Sequence, residues 1–136
     1  MARIVLTDAF VSVGGVDLSD RVASATLNTT RDVVETTAFS STTAKTRVTG
    51  LIDNSVTLEF HQDYATSEVE QTIYPLLGTA STVIVKPNGA STSAFNPSYT
   101  FSAIISEWTP INGSVGELAT VSVTWPITGA ITKAVA

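Results

Sequence analysis

His61 is the only histidine in the 136-residue sequence and therefore the first residue to consider for catalysis. It lies beside Gln62 and Asp63, on the polar side of an alternating segment, Ser55–Gln62. A Ser-His-Asp site needs a serine on one side of the imidazole and a carboxylate on the other. The sequence has no G-x-S-x-G motif to present such a serine. We therefore predict a surface or inter-subunit position for His61 and no enzyme activity.

The carboxylates and glycines of the sequence do not form a recognisable metal-binding, catalytic or phosphate-binding motif. Asp17–Asp20 and the Asp53-Asn54 pair carry oxygen ligands, but neither resembles an EF-hand loop. Glu59 and Glu107 could form a carboxylate pair of the glycosidase kind, yet nothing in the sequence brings them together. There is no cysteine, which excludes disulfides and thiolate sites, and no glycine-rich phosphate-binding motif. The sequence predicts no catalytic residue, no metal and no cofactor.

The charge and composition exclude further classes of function. The net charge is −5, from 7 basic and 12 acidic residues, so the chain lacks a general electrostatic attraction to nucleic acid. No apolar run approaches the ~20 residues of a membrane-spanning helix. The N-terminus lacks the features of a signal peptide. Ser and Thr occupy 37 positions and Val another 16, a mixture that favours strands with a hydroxylated outer face.

Short alternating segments separated by Gly-Gly and Asn-Gly turns predict a mainly β fold. Residues 1–136 are predicted to form one domain, a β-sandwich or partly open barrel with one flanking α-helix. The predicted strands are Phe10–Val13, Arg21–Thr29, Asp32–Thr37, Ser55–Gln62, Ser81–Lys86, Tyr99–Trp108 and Leu118–Trp125.

Between two of these strands, Glu68–Leu77 has the pattern of a helix. Ser67 and Glu70 match a capping box, and Gly78 stands where a glycine often ends a helix. Pro75 is expected to shorten or kink the helix. The side chains predicted to anchor the core and the helix are Val56, Leu58, Phe60, Ile73, Leu77 and Trp125.

Three segments do not fit a compact domain. Residues 38–54 form a predicted long Ser/Thr-rich loop that carries Lys45 and Arg47, and loops of this length are usually functional or disordered. Residues 1–10 and 126–136 are apolar and are predicted to be arms that contact neighbouring molecules. The alternative is that each arm folds onto its own domain as an edge strand.

The order of these parts resembles the major tail tube protein of long-tailed, non-contractile bacteriophages. The resemblance covers most of the chain. It consists of the apolar N-terminal arm, the long Ser/Thr loop, DNSVTLEFHQDY with the single helix, the STVIVKPNG strand and turn, and the closing SVTWPITGAIT.

The resemblance implies a structural virion protein that assembles into hexameric rings, stacked as a tube through which the genome is ejected. Such a protein is made in the cytoplasm of the bacterial host. Its implied partners are further copies of itself and the tail tip, tape measure and tail terminator proteins, while genomic DNA passes without specific binding. Phe39–Ile52 would be the ring-stacking loop, with Lys45 and Arg47 facing acidic groups of the next ring. The implied interface residues are Ile4, Leu6, Phe10, Phe39, Lys45, Arg47, Leu51, Ile52, Ile127 and Ile131.

The charge of the chain fits such a conduit. Six subunits would place about −30 on each ring, and like charge repels DNA phosphates over roughly 8 Å. Thr120, Ser122 and Thr124 would line the lumen without cations. Two alternatives stay open: another phage or secretion-system module, such as a tail terminator, decoration protein or tube subunit, and a monomeric β-sandwich that binds carbohydrate or another ligand.

Overall fold

The computed structural model describes residue 3 and residues 5–39 and 43–136. In these residues, seven strands form one antiparallel sheet in the order β2-β1-β5-β6-β7-β4-β3. The mainly β fold with one flanking helix is confirmed, as a single open sheet whose edges are β2 and β3. The strands are β1 Phe10–Val13, β2 Val16–Asp17, β3 Val22–Glu35, β4 Arg47–His61, β5 Ala80–Lys86, β6 Ser98–Ile104 and β7 Thr120–Ala134.

The hairpin β3–β4 is longer than the sequence predicts. The predicted strands Arg21–Thr29 and Asp32–Thr37 are one strand, because an irregularity between Arg31 and Val33 shifts the register without ending the pairing. β4 already begins at Arg47, which lies opposite Glu35. The prediction of a loop over 38–54 is therefore wrong from residue 47 onward. That part is rich in β-branched side chains, which favour a strand once a partner strand is present.

The C-terminal segment is likewise part of the sheet. β7 continues to Ala134 and pairs with β6 from Ser98 to Ala103, so the predicted free arm over 126–136 is wrong for residues 126–134. Pro126 does not end β7. The N–H of Thr124 points away from β4, to the Glu107 carboxylate at 2.7 Å, and by alternation Pro126 has its nitrogen on the same side. β6 pairs only from Ile127 onward, so the missing N–H costs no ladder hydrogen bond.

The core lies on one face of the sheet and follows the predicted alternation in β4. Val56, Leu58 and Phe60 are fully buried. The residues that alternate with them, Ser55, Thr57, Glu59 and His61, are partly exposed. The Phe60 ring meets Trp108 edge-on at 5.7 Å between ring centroids and Trp125 at 6.3 Å. Such aromatic pairs add specific geometry to a large buried area.

The helix α1 is shorter than predicted and covers this core. It spans Val69–Ile73, followed by a 3-10 turn, Tyr74–Leu76, that contains Pro75. The shortening at Pro75 is confirmed. Val69 and Ile73 are buried against the core, but Leu77 is exposed and is not a core anchor, because the helix has already ended. Gly78 has a φ of 86°, as expected after a helix end.

The predicted capping box is wrong. Ser67 has a φ of 63° and lies before the N-cap, Glu68, and no side chain caps the helix. Glu70 instead accepts hydrogen bonds from the Trp108 indole N–H at 2.6 Å and from the Gln62 amide at 3.4 Å. The indole is partly buried and needs an acceptor, so it takes the carboxylate that a capping box would have used.

Candidate assembly surface

The end of the β3–β4 hairpin separates from the neighbouring strand β7. β7 pairs with β4 from Asn54 to His61, so among the described strands Arg47–Asp53 has β3 as its single neighbour. Seven strand residues correspond to about 23 Å. Residues 29–39 and 43–53 are called the distal hairpin from here on.

Apolar side chains of the distal hairpin are exposed to a degree that its own chain does not explain. Leu51 is 81% exposed, and Phe39, near the tip, is fully exposed. Scattered exposed apolar residues are normal, but several on one two-stranded projection mark a contact surface. The other exposed apolar residues of the distal hairpin are Val33, Val34, Val48 and Ile52.

Sequence reasoning identified Phe39, Leu51 and Ile52 but missed the three valines. The signal was present in the adjacent Val33-Val34 pair, since two consecutive valines in one strand point to opposite faces, and both faces are then apolar. In the structure Val34 lies directly opposite Val48.

Polar contacts hold the distal hairpin together near its tip. The Thr36 N–H donates to the Thr46 carbonyl at 2.8 Å, and the two threonine hydroxyls are 2.9 Å apart. Lys45 pairs with Glu35 at 3.6 Å, with both side chains more than half exposed. Exposed ion pairs contribute little stability, so the backbone ladder is the main source of order here.

The backbone edges of the distal hairpin are open on both sides. β3 is an edge strand over its full length, and β4 loses its second neighbour where β7 diverges. At this divergence the buried Asn54 side chain donates to the Gly129 carbonyl at 3.4 Å, while within the described residues its Oδ1 has no hydrogen-bond partner. Unpaired edges of this length are templates for pairing with another strand.

At the opposite end of β3, a groove of about 780 Å³ separates its first residues from β1 and the segment before it. Leu6, Val11 and Val22 contribute apolar side chains to the lining. The same lining contains four carboxylates, Asp8, Asp17, Asp20 and Glu68. This acidic groove was not predicted, because its carboxylates come from three separate parts of the sequence: Asp8, Asp17 with Asp20, and Glu68.

Arg21 is the cation at the edge of the acidic groove, and it is already engaged. Its guanidinium lies 2.8 Å from Asp63, 3.1 Å from Asp20 and 3.9 Å from Glu68. The pKa of Asp63 is lowered, because its carboxylate accepts hydrogen bonds from the Ala65 N–H and from Arg21. The pKa of Arg21 is raised by the hydrogen bond to Asp63 and by the charge of Asp20. The groove therefore keeps a net negative charge.

The remaining predicted interface residues are distributed over the body. Ile4 lies outside the described residues. Leu6 is exposed beside the acidic groove, and Phe10 is half-buried in β1 with the Lys86 ammonium 4.6 Å above its ring. Ile127 is buried in the core of its own chain, so its assignment to an interface is wrong; Ile131 is half-buried and packs against that core. Both are held there by the pairing of β7 with β6.

The sheet face opposite the core carries rows of hydroxyl groups. Thr26, Thr57 and Thr124 lie side by side on β3, β4 and β7, with the hydroxyls of the last two 3.1 Å apart. The neighbouring row is Ser24, Glu59 and Ser122, and His61 lies opposite Thr120. The carboxylate of Glu107 is bound to the Thr124 N–H.

No group of three or more His, Cys, Asp or Glu side chains in the described residues is arranged to hold a metal ion. Within the same residues, no helix has the length and apolar character needed to cross a membrane.

Comparisons with known proteins give a structural match. No family model and no curated protein matches the sequence. Among solved structures, the fold is similar to a chain of the anti-feeding prophage baseplate, determined by cryo-EM with sixfold symmetrisation. The TM-score is 0.60 at 8% identity, and the match covers 99% of this chain and 98% of that chain. At this identity the likeness concerns the fold: the two chains share one architecture over essentially their whole lengths.

Proposed function

We propose that this chain is a structural subunit of a phage-tail-like particle, which assembles with copies of itself into stacked rings that form a tube. The observation that carries the proposal is the distal hairpin. Its two-stranded segment is about 23 Å long, both of its edges are unpaired in the described residues, and apolar residues such as Val34 and Leu51 are exposed on it. Pairing and burial against further copies would convert these exposed features into assembly contacts.

The fold comparison supports the same reading. The similar chain belongs to a prophage baseplate with sixfold symmetry, and the similarity extends over nearly the full length of both chains. We infer a sixfold ring by analogy with that assembly. Contacts between unlike surfaces of neighbouring copies close into a ring when the rotation between copies closes, whereas the same kind of contact between stacked rings does not close and builds an open polymer.

The hydroxyl face is proposed to line the tube. Its two rows consist of Ser, Thr and one Glu, without Lys or Arg. DNA would pass such a surface without a cation to bind its phosphates. In this role the chain has no catalytic activity and no cofactor, it resides in the particle, and its partners are its own copies and the proteins at the two ends of the tube.

The proposal is tested by concentrating the purified protein and following light scattering over hours, with negative-stain electron microscopy at the end point. We expect rings or hollow tubes with a uniform diameter. The protein after heat denaturation serves as the control for nonspecific aggregation. A species that stays monomeric at millimolar concentration, alone and with a tube-initiating complex, would refute the proposal; an end-capping ring that never elongates would favour a tail terminator instead.

A further inference from the structure

The loop before β7 presents large apolar side chains to solvent. Residues 110–119 are called the apolar loop from here on. Ile111 is 82% exposed, Val115 is fully exposed, and Leu118 is also exposed. Glu117 is the single charged residue of the apolar loop. Three aliphatic side chains exposed on one short loop mark a contact surface.

Hydrogen bonds at both ends of the apolar loop hold it on the body of the protein. At its start, the Pro110 carbonyl accepts from the Tyr64 hydroxyl at 2.6 Å and from the Gln62 side-chain amide at 2.9 Å. At its end, the Ala119 carbonyl accepts from the Gln62 backbone N–H at 3.0 Å. A loop that is fixed in this way has less conformational entropy to lose when it binds a partner.

The core is open at the opposite end of the sheet. The helix α1 covers the core beside Phe60, through the bond of Glu70 to Trp108. Far from this helix, half-buried side chains that pack on the core line a groove of about 530 Å³, among them Leu27, Val85 and Ile131. This apolar groove is thus a continuation of the core that the described residues leave uncovered.

The apolar loop and the apolar groove lie at opposite ends of β7. The loop ends directly before Thr120, and Lys133, which lines the groove, is thirteen residues further along the strand, a distance of about 40 Å. A second copy displaced along β7 therefore brings its apolar loop to the apolar groove of the first. The contact joins unlike surfaces, so it can repeat from copy to copy.

Charge favours this pairing over the two symmetric ones. The described lining of the apolar groove includes Lys86 and Lys133 and no carboxylate. The Lys86 ammonium donates to the Ala90 carbonyl at 3.1 Å, which leaves Lys133 as the cation for Glu117. Loop-to-loop contact would place two glutamates together, and groove-to-groove contact would place lysines together. Like-charge juxtaposition of this kind suppresses wrong pairings.

We propose that the apolar loop of one copy docks in the apolar groove of a second copy, where it covers the open end of the core and places Glu117 beside Lys133. The inference deepens the proposed function and rests on it for the identity of the partner, a further copy of this chain. The contact uses none of the exposed apolar side chains of the distal hairpin.

Cysteine cross-linking tests the pairing, because the natural chain has no cysteine and every disulfide reports the introduced positions. Glu117→Cys and Lys133→Cys are made in separate chains, mixed under assembly conditions and oxidised with copper–phenanthroline. A disulfide needs Cα atoms within about 7 Å of each other, so the mixed dimer is expected to form at least about tenfold faster than in the control. The control pairs Glu117→Cys with Thr132→Cys, which is also exposed but points to the other face of β7.

Val115→Ser tests the apolar part of the contact. Because Val115 is fully exposed, circular dichroism and the midpoint of thermal unfolding should match those of the natural protein. Elongation measured by light scattering is expected to be about tenfold slower, as for the loss of one buried aliphatic side chain. Leu77→Ser is the matched control: it removes an exposed apolar side chain after α1 and should elongate within about twofold of the natural protein.

The outcomes separate the two proposals. If the natural protein forms tubes but the mixed dimer forms no faster than the control, or Val115→Ser elongates normally, the docking of the loop is wrong and the tube function stands. A predominant disulfide dimer of Glu117→Cys with itself would place loop against loop and would also overturn the docking. If the mixed dimer forms as expected but no tube is found, the docking stands and the tube function fails. If neither is found, both proposals are overturned.

Discussion

The two halves of β4 show how one strand serves two purposes. From Asn54 to Phe60 every second side chain is buried, and β3 and β7 flank the strand on both sides. From Arg47 to Asp53 no side chain is buried, and β3 is the only strand of the described residues that pairs with β4 there. Apolar residues occur in both halves, so hydrophobicity alone does not distinguish them. The difference is a covering layer. Residues of the same chain cover Asn54–Phe60, whereas Arg47–Asp53 would be covered only by another molecule.

The largest loss of stability is expected from a substitution in the core that covers Asn54–Phe60 of β4. Trp125→Ala removes a fully buried side chain that packs on Phe60 and donates its indole N–H to the Glu107 carbonyl at 3.0 Å. A loss of about 3–5 kcal/mol in the free energy of unfolding is expected, from lost contacts and the cavity left behind. Urea denaturation of the monomer measures it. A loss below 1 kcal/mol would show that this cluster is not the centre of the core.

A smaller loss is expected where the helix meets the same cluster. Glu70→Ala leaves the partly buried Trp108 indole without its acceptor, at a cost of about 1–3 kcal/mol. Glu117→Ala, an exposed glutamate in the loop before β7, is the matched control and should change stability by less than about 0.5 kcal/mol. Equal effects of the two substitutions would contradict the role assigned to the Glu70–Trp108 hydrogen bond.

The smallest effect on stability, with the strongest effect on assembly, is expected in the distal half of β4. Leu51→Ser changes a side chain that is 81% exposed, so the free energy of unfolding of the monomer should change by less than about 0.5 kcal/mol. Elongation measured by light scattering should nevertheless slow markedly, because the apolar contact to the neighbouring copy is lost. If Leu51→Ser destabilises the monomer as strongly as a core substitution, the two halves of β4 are not different in kind.

The difference between the two halves of β4 also explains why the prediction of a loop over 38–54 failed. The loop prediction over 38–54 relied on the Ser/Thr content of the segment, and a hairpin that is exposed to solvent has the same content. Periodicity detects a strand through the contrast between its two faces, so a strand exposed on both faces gives no such contrast. The C-terminal arm was predicted from the apolar composition of residues 126–136, which does not show that this segment pairs with β6. Pro126 and Gly129 are tolerated within β7 because they lie where the strand passes from pairing with β4 to pairing with β6.

The sequence by itself determined the mainly β class, the alternation of Val56, Leu58 and Phe60, the single helix ending near Pro75, and the absence of cysteine chemistry. These follow from local periodicity and residue type, which act over a few neighbouring positions. Only the tertiary structure decided that Glu70 binds Trp108, that Ile127 is internal, and that four carboxylates from three separate segments share one groove. Each of these depends on which strands become neighbours, and non-local pairing is not encoded in any short segment of the chain.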